Sequence, residues 1–145
     1  MRGHMMDYPL TLTHFLDRAR TLFAHKEVLT RTENGVHRYT YAEFYRRVCR
    51  LANALRRIGV QPGERVATFA WNTSRHLEIY FAAPCSGSVL HTLNLRLFPE
   101  QITYIANHDE DAVICIDDSL IPMLEPLAPQ LKTVKAFIVM GDGPI

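Results

Sequence analysis

The sequence predicts an α/β fold: a Rossmann-like, mostly parallel sheet with flanking helices, preceded by an N-terminal β-hairpin. Three observations predict it. First, short apolar runs alternate with helix-patterned segments along the 145 residues, the order that builds parallel strands joined by crossover helices. Second, Arg65–Ala70 (RVATFA), Ala112–Ile116 (AVICI) and Val134–Met140 (VKAFIVM) are almost continuously apolar, as strands covered on both faces are. Third, Asn34-Gly35 separates two alternating segments, a strong two-residue turn signal.

Each element follows from local chemistry. Leu12, Phe15, Leu16, Ala19, Leu22 and Phe23 share one face of an amphipathic helix, with Thr11 or Thr13 as its cap. Lys26–Thr32 and Val36–Tyr39 form the hairpin strands. Thr40-Tyr41-Ala42-Glu43 reads as a capping box, the Thr40 hydroxyl accepting from the Glu43 amide and the Glu43 carboxylate reaching back to the Thr40 amide. The helix it opens buries Phe44, Val48, Leu51, Leu55 and Ile58, and Gly59 suits the left-handed position past its end. Its other face carries Arg46, Arg47, Arg50, Arg56 and Arg57, a solvated face or a partner contact.

Gln61-Pro62-Gly63-Glu64 is a turn into the first sheet strand. Asn72–Ser74 caps a helix over Arg75 to about Ser86 that is apolar almost all round and therefore interior. Pro84 inside it should kink or end it. Val89–Leu93 is the next strand. Pro99 suits a first helical turn, and the helix continues over Glu100–Asn107. Ser119 to about Leu127 is a weaker helix, broken by Pro122 and Pro126. Gly141–Ile145 is loop.

Composition excludes several functions. The chain is 48% apolar with a net charge of +1, so it can bury a core and lacks the basic excess that nucleic acid demands. Cys49, Cys85 and Cys115 form no CxxC pair and lie in apolar runs, as buried thiols in a reducing compartment do. No run approaches the ~20 residues of a membrane span, and no signal-peptide pattern opens the chain. A cytoplasmic protein is the expectation. The chain has no GxGxxG, no GxxxxGK[ST], no HExxH, no zinc spacing and no GxSxG elbow.

Candidate ligand contacts lie between Trp71 and Ile102, where a strand ends in a loop before a helix. Arg96 is the foremost: its guanidinium either grips a phosphate or carboxylate or pairs with Glu100. Asn94 reads as the residue holding the turn. His91 reads as core packing or support for the site. His76 and His108 read as structural histidines.

Thr40-Tyr41-Ala42-Glu43, Ala52, Leu55 and Gly59-Val60-Gln61-Pro62-Gly63-Glu64-Arg65-Val66-Ala67 resemble the start of the adenylate-forming (AMP-binding) acyl-CoA synthetases. Arg75-His76-Leu77-Glu78, Gly87, Val89–Asn94 and Arg96-Leu97 narrow the likeness to the medium- and long-chain fatty-acyl-CoA synthetase branch, from about Met6 to Met140. The resemblance implies a two-step ligase using ATP, Mg²⁺ and coenzyme A, with a fatty acid as substrate. It implies that residues 1–145 are the N-terminal segment of the large AMP-binding domain. The family's phosphate loop, nucleotide motifs, magnesium glutamate and C-terminal lysine would lie beyond Ile145, so no catalytic or metal residue is assigned, and the 145 residues alone are expected to be inactive in adenylation. Arg96 matches an arginine that lies near the coenzyme A phosphates in some members. Dimers packing through N-terminal segments, here Met5–Tyr8 and the arginine-rich helix, occur in the same branch. Two other readings stand beside this one: a separate Rossmann-like nucleotide- or acyl-binding module, and a non-catalytic dimerisation module.

Overall fold

The computed structural model describes residues 7–32 and 35–142. Helix α1 (Thr13–Leu22) precedes a hairpin of β1 (Glu27–Thr32) and β2 (Gly35–Thr40). Then come α2 (Tyr41–Arg57), β3 (Arg65–Phe69), α3 (Ser74–Cys85), β4 (Val89–Thr92), α4 (Pro99–His108) and β5 (Asp111–Asp117). A 3-10 turn, the short α5 (Ile121–Leu124) and a second 3-10 segment to Gln130 lead to β6 (Ala136–Met140).

The four later strands form one parallel sheet in the order β4-β3-β5-β6, while the hairpin is a separate two-stranded sheet. The expected Rossmann-like layer is therefore present. All residues of β5 are buried, because β3 and β6 flank it and helices cover both faces. Against one face pack Phe44, Val48 and Leu55 of α2 with Ile79, Ala82 and Ala83 of α3. Against the other pack Ile102 and Ala106 of α4 with Leu120, Leu124 and Leu127. From β3 the chain steps outward to β4, then crosses back over β3 to β5. A constant crossover hand sends helices on opposite-running connections to opposite faces, which matches α3 on one side and α4 on the other.

Two helices end by the same device. The Val60 amide donates to the Leu55 carbonyl at 3.1 Å and the Gly59 amide to Arg56 at 3.1 Å. Gly59 has φ +93°. This is a Schellman ending, as its glycine predicts. After α3, Ser88 donates to Ala83 at 3.0 Å and Gly87 to Pro84 at 3.1 Å, with Gly87 at φ +89°. Pro84 thus stands at the closing turn and ends the helix rather than kinking it.

Several expectations are corrected. No side chain caps α1; Leu12 stands at its N-cap. Of its apolar face only Leu16 is buried, and Phe15 and Leu22 are 64% and 59% exposed. The Thr40 half of the capping box forms, with the Glu43 amide 3.3 Å from its hydroxyl, but the Glu43 carboxylate accepts from Arg46 Nε at 2.8 Å instead of reaching back. The reciprocal contact occurs at α4, where Gln101 Oε1 accepts from the Phe98 amide at 3.1 Å. Cys115 is buried, and burial pushes its thiol up to about 12, whereas Cys49 and Cys85 are only half-buried. Asn34 and the last three residues of the expected closing loop lie outside the described residues.

The largest correction concerns α3. It is not interior all round: His76 and Glu78 are buried beside Ile79, Ala82 and Ala83, while Leu77 and Tyr80 are exposed. Glu78 Oε1 accepts from Tyr39 Oη and from Arg47 Nε, both at 2.7 Å, and the Arg47 guanidinium lies 5.5 Å from the Tyr39 ring centroid. Arg47 therefore leaves the solvated basic face and turns inward. The contact ties β2, α2 and α3 at one point.

Replacing Ile114, which is fully buried on β5, with alanine should cost about 3 kcal/mol. Urea denaturation followed by circular dichroism measures this; a loss under about 1 kcal/mol means that β5 is not the packing centre.

Candidate functional site

In a parallel sheet the ligand crevice opens at the carboxyl ends of the strands, where successive connections diverge. Here that point lies between β3 and β5. Trp71, two residues past β3, donates its amide to Asp117 Oδ2 at 2.8 Å and its indole Nε1–H to Ser119 Oγ at 3.1 Å. Asp117 is the last residue of β5 and is buried. Beside it the Asp118 carboxylate accepts the Ser119 amide at 2.7 Å and lies against Gly141, where a Cβ would come within 2.6 Å of it. Arg75, in the first turn of α3, pairs with Asp142 after β6. The mouth of the crevice is thus edged by polar contacts beside a half-exposed indole ring.

His76 supports this edge from below. Its Nδ1 lies 3.2 Å from the Trp71 carbonyl and its Nε2 2.9 Å from Thr68 Oγ1. A carbonyl only accepts, so Nδ1 carries the proton and Nε2 accepts from the Thr68 hydroxyl. Burial lowers the basicity of the ring, against weaker opposing effects from the Trp71 carbonyl and Asp117. It is a neutral structural histidine, as expected. His108 is exposed and stacked on Tyr104 with centroids 5.5 Å apart.

Arg96 stands at the neighbouring carboxyl end, after edge strand β4. Asn94 Oδ1 accepts the Arg96 amide at 3.0 Å, so Asn94 does hold the turn, and the Leu93 amide is fixed to the Thr68 carbonyl at 2.9 Å. The backbone is anchored while the side chain is exposed. Among the described residues no carboxylate pairs with Arg96, Glu100 included. His91 does not join it. It lies within β4 and turns toward the amino end of the sheet, with Nδ1 2.8 Å from Asp111 Oδ1 and Nε2 3.3 Å from Asp109 Oδ2. His91 thus packs against the buried Asp111 at the amino ends of the strands, away from the Arg96 turn.

A groove of about 350 Å³ opens between β1 and the start of α3, lined by Val28, Leu29, Thr30, Asn72, Thr73 and His76 among others. The Thr30 hydroxyl closes its floor by accepting the Ser74 amide at 2.9 Å. No cluster of three or more His, Cys, Asp or Glu suited to a metal ion occurs among the described residues. The sequence reading missed Trp71, Asp117 and Ser119. Their partners lie 46 and 48 positions apart, and the only available signal was the presence of a single tryptophan at a strand end.

Comparison with known proteins is consistent across sequence and structure. The family model described as AMP-binding enzyme matches residues 16–145. A long-chain-fatty-acid–CoA ligase of Thermus thermophilus is 52% identical over 139 residues, 95% of this chain and 26% of that protein. A medium-chain-fatty-acid–CoA ligase of Ectopseudomonas oleovorans is 41% identical over 144 residues, 99% of this chain and 26% of that protein. A solved fatty acyl CoA synthetase of Mycobacterium tuberculosis superposes with a TM-score of 0.82 at 21% identity, over 90% of this chain and 26% of that one; at that identity it supports the fold alone. The chain spans about a quarter of the length of the curated relatives it matches.

The His76 environment yields a pH test. Its folded-state basicity is depressed, so its contribution to stability is complete above the ordinary imidazole range of about 6.5 and is lost as pH falls below it. Thermal unfolding, monitored through the lone tryptophan, should show the midpoint falling from about pH 7 toward about pH 5, with a shallower slope in His76→Gln. Equal slopes in the two proteins contradict the assignment.

Proposed function

Because the chain belongs to the AMP-binding enzyme family, we propose that the protein carrying it is an ATP-dependent acid–CoA ligase acting on fatty acids. The observation that carries this reading is the 52% identity to a long-chain-fatty-acid–CoA ligase over 95% of the chain. The chemistry is activation of a poor acyl donor. A carboxylate oxygen attacks the α-phosphorus of ATP, forming a mixed anhydride and releasing pyrophosphate. The coenzyme A sulfur then attacks the acyl carbon and AMP leaves.

Residues 1–145 supply the N-terminal segment of the AMP-binding domain, and we assign them scaffold and docking roles. The described residues hold no group of three or more His, Cys, Asp or Glu suited to a metal ion, and the chain holds no glycine-rich phosphate loop, so we route neither step through these residues. We propose that the 145 residues alone are inactive in adenylation; pyrophosphate release from ATP and a fatty acid by them would refute this. Coenzyme A is different: Arg96 is exposed, unpaired among the described residues and held by its backbone, which suits a guanidinium that meets a ligand phosphate.

A homodimer is the second part of the proposal. The apolar face of α1 exposes Phe15 and Leu22, flanked by Arg18, which lies over Phe23, and Arg20, which lies over Tyr45. A second copy of the same face covers it. We place the protein in the cytoplasm: its cysteines are free, in keeping with a reducing compartment, and no helix among the described residues is long and apolar enough to cross a membrane.

With the whole protein, a fatty acid, ATP and coenzyme A should yield acyl-CoA, AMP and pyrophosphate. In the same assay Arg96→Ala should raise the KM for coenzyme A about tenfold or more, from loss of a charged hydrogen bond, and leave fatty-acid-dependent pyrophosphate exchange unchanged. Coenzyme A kinetics that do not move remove Arg96 from the site. Light scattering after size exclusion checks the dimer: Phe15→Glu with Leu22→Glu should convert it to a monomer, and a wild-type monomer refutes it.

A further inference from the structure

Strand β1 has one neighbour, β2. In an antiparallel pair, alternate residues direct their amides and carbonyls to the partner strand, and the residues between direct theirs away. The Tyr41 amide donates to the Lys26 carbonyl at 2.7 Å, which fixes the alternation. Continuing through the register Val28–Tyr39, Thr30–His37 and Thr32–Gly35, the residues bonded to β2 are Val28, Thr30 and Thr32. Glu27, Leu29 and Arg31 therefore point their backbone groups outward, and among the described residues none of those groups has a backbone hydrogen-bond partner.

Sheets usually guard such an edge with a proline, a lysine, a bulge or an inward-pointing charge. Strand β1 has none of these. Its sequence is EVLTRT, its pairing is regular from Glu27 to Thr32, and its buried residues are Val28 and Thr30. At the centre of the outer row Leu29 is 58% exposed.

The groove of about 350 Å³ runs along this edge. Residues of β1 and α3 line it and no residue of β2 does, so it lies on the side of β1 away from its partner strand. Its far wall is the exposed side of α3, with Leu77 and Tyr80, and the loop residues Asn72 and Thr73. A strand edge facing a helix across an apolar groove is the geometry in which an extended chain adds a strand: main-chain bonds hold it, and alternate side chains enter the groove. A helix has its own amides and carbonyls paired and would leave the row on β1 unsatisfied.

We propose that in the whole protein a strand from the part of the same polypeptide outside residues 1–145 pairs with the outer edge of β1 and covers the groove against α3. This rests on the reading of the chain as one segment of a longer ligase. The chain spans about a quarter of the length of the relatives it matches, and a strand on the same polypeptide meets β1 at a high effective concentration, which a separate peptide does not. The exposed side chains of β1 set the chemistry of the incoming strand: a base opposite Glu27, an apolar or β-branched residue opposite Leu29 and an acid opposite Arg31.

Hydrogen exchange on the whole protein, resolved to single amides by fragmentation in the mass spectrometer, tests it. The Leu29 and Arg31 amides should exchange about a hundredfold or more slower than their intrinsic rates, at every protein concentration. Leu29→Glu sets a second carboxylate beside Glu27 on the covered face. It should speed exchange at Arg31 about tenfold, while Val28 and Thr30, bonded to β2, keep their protection. Near-intrinsic exchange at Leu29 and Arg31 in the wild type means an open edge and overturns the proposal. Protection that vanishes on dilution, the mark of a second copy, overturns it too, as does an Arg31 rate that Leu29→Glu leaves unchanged. The wild-type rates decide the question even where the variant opens the whole hairpin. No substrate enters these measurements, so edge pairing and acyl-CoA formation fail or succeed separately.

Discussion

Strand β5 is sealed on every side: β3 and β6 occupy its two edges, helices its two faces, and all its residues are buried. That placement dictates what surrounds it. Its faces need α2 and α3 on one side and α4 with the α5 segment on the other, and the crossovers need sharp endings so that each helix turns back onto the sheet. Gly59 and Gly87 provide them, because a residue without Cβ enters the left-handed region at little cost. The same placement also creates the two polar ends of the molecule. Asp111 and Asp117 begin and end β5, and both are buried. A carboxylate at either end of a sealed strand must find donors, and the Trp71 amide and the His91 ring are the donors found.

Magnitude separates the polar contacts that shape the fold from those that decorate it. Exposed pairs such as Arg20–Asp17 at 3.6 Å or Arg38–Glu27 at 3.8 Å contribute roughly 0–1 kcal/mol. Glu78 is different, being buried and served by Tyr39 and Arg47 on the same oxygen. Removing one partner from such a buried group costs about 3 kcal/mol, because the charge remains desolvated. The hairpin is not part of the main sheet, so this contact and the Thr30–Ser74 hydrogen bond are side-chain ties that seat it against α2 and α3. The groove between β1 and α3 exists because the hairpin is held in this way.

Much of this architecture was legible in residue order, and the reason is local. Continuous apolar runs identified β3, β5 and β6, and Thr40, Gly59 and Pro99 marked helix ends through chemistry confined to a few neighbouring residues. What was not legible depends on contacts between distant positions. The run Leu77, Ile79, Tyr80, Phe81 suggested a helix buried almost all round, yet α3 exposes Leu77 and Tyr80 and buries His76 and Glu78 beside Ile79, because Thr68, Tyr39 and Arg47 supply their partners. The apolar face of α1 was visible, but its exposure was not, since periodicity shows amphipathicity and not what covers it. Trp71 and Asp117 meet only because β3 and β5 are neighbours, a topological fact. Arg96 was legible as a candidate because its strand-to-helix turn is local; the absence of a carboxylate partner among the described residues was not.

That unpaired arginine has a physical logic. An exposed Arg96–Glu100 pair would add little stability, so leaving the guanidinium free costs the fold almost nothing. Precision is needed instead in the backbone beneath it, and there the chain is fixed twice, by the Asn94 side chain and by the Leu93 amide. Strand β4 spans roughly 13 Å at about 3.3 Å per residue; the His91 ring on it reaches Asp111 of β5, and Arg96 projects from the turn that follows it. An edge strand with one neighbour has few interactions with which to resist displacement. The His91–Asp111 contact therefore adds a side-chain tie from β4 to β5 to the backbone pairing of β4 with β3, beneath the turn that carries Arg96.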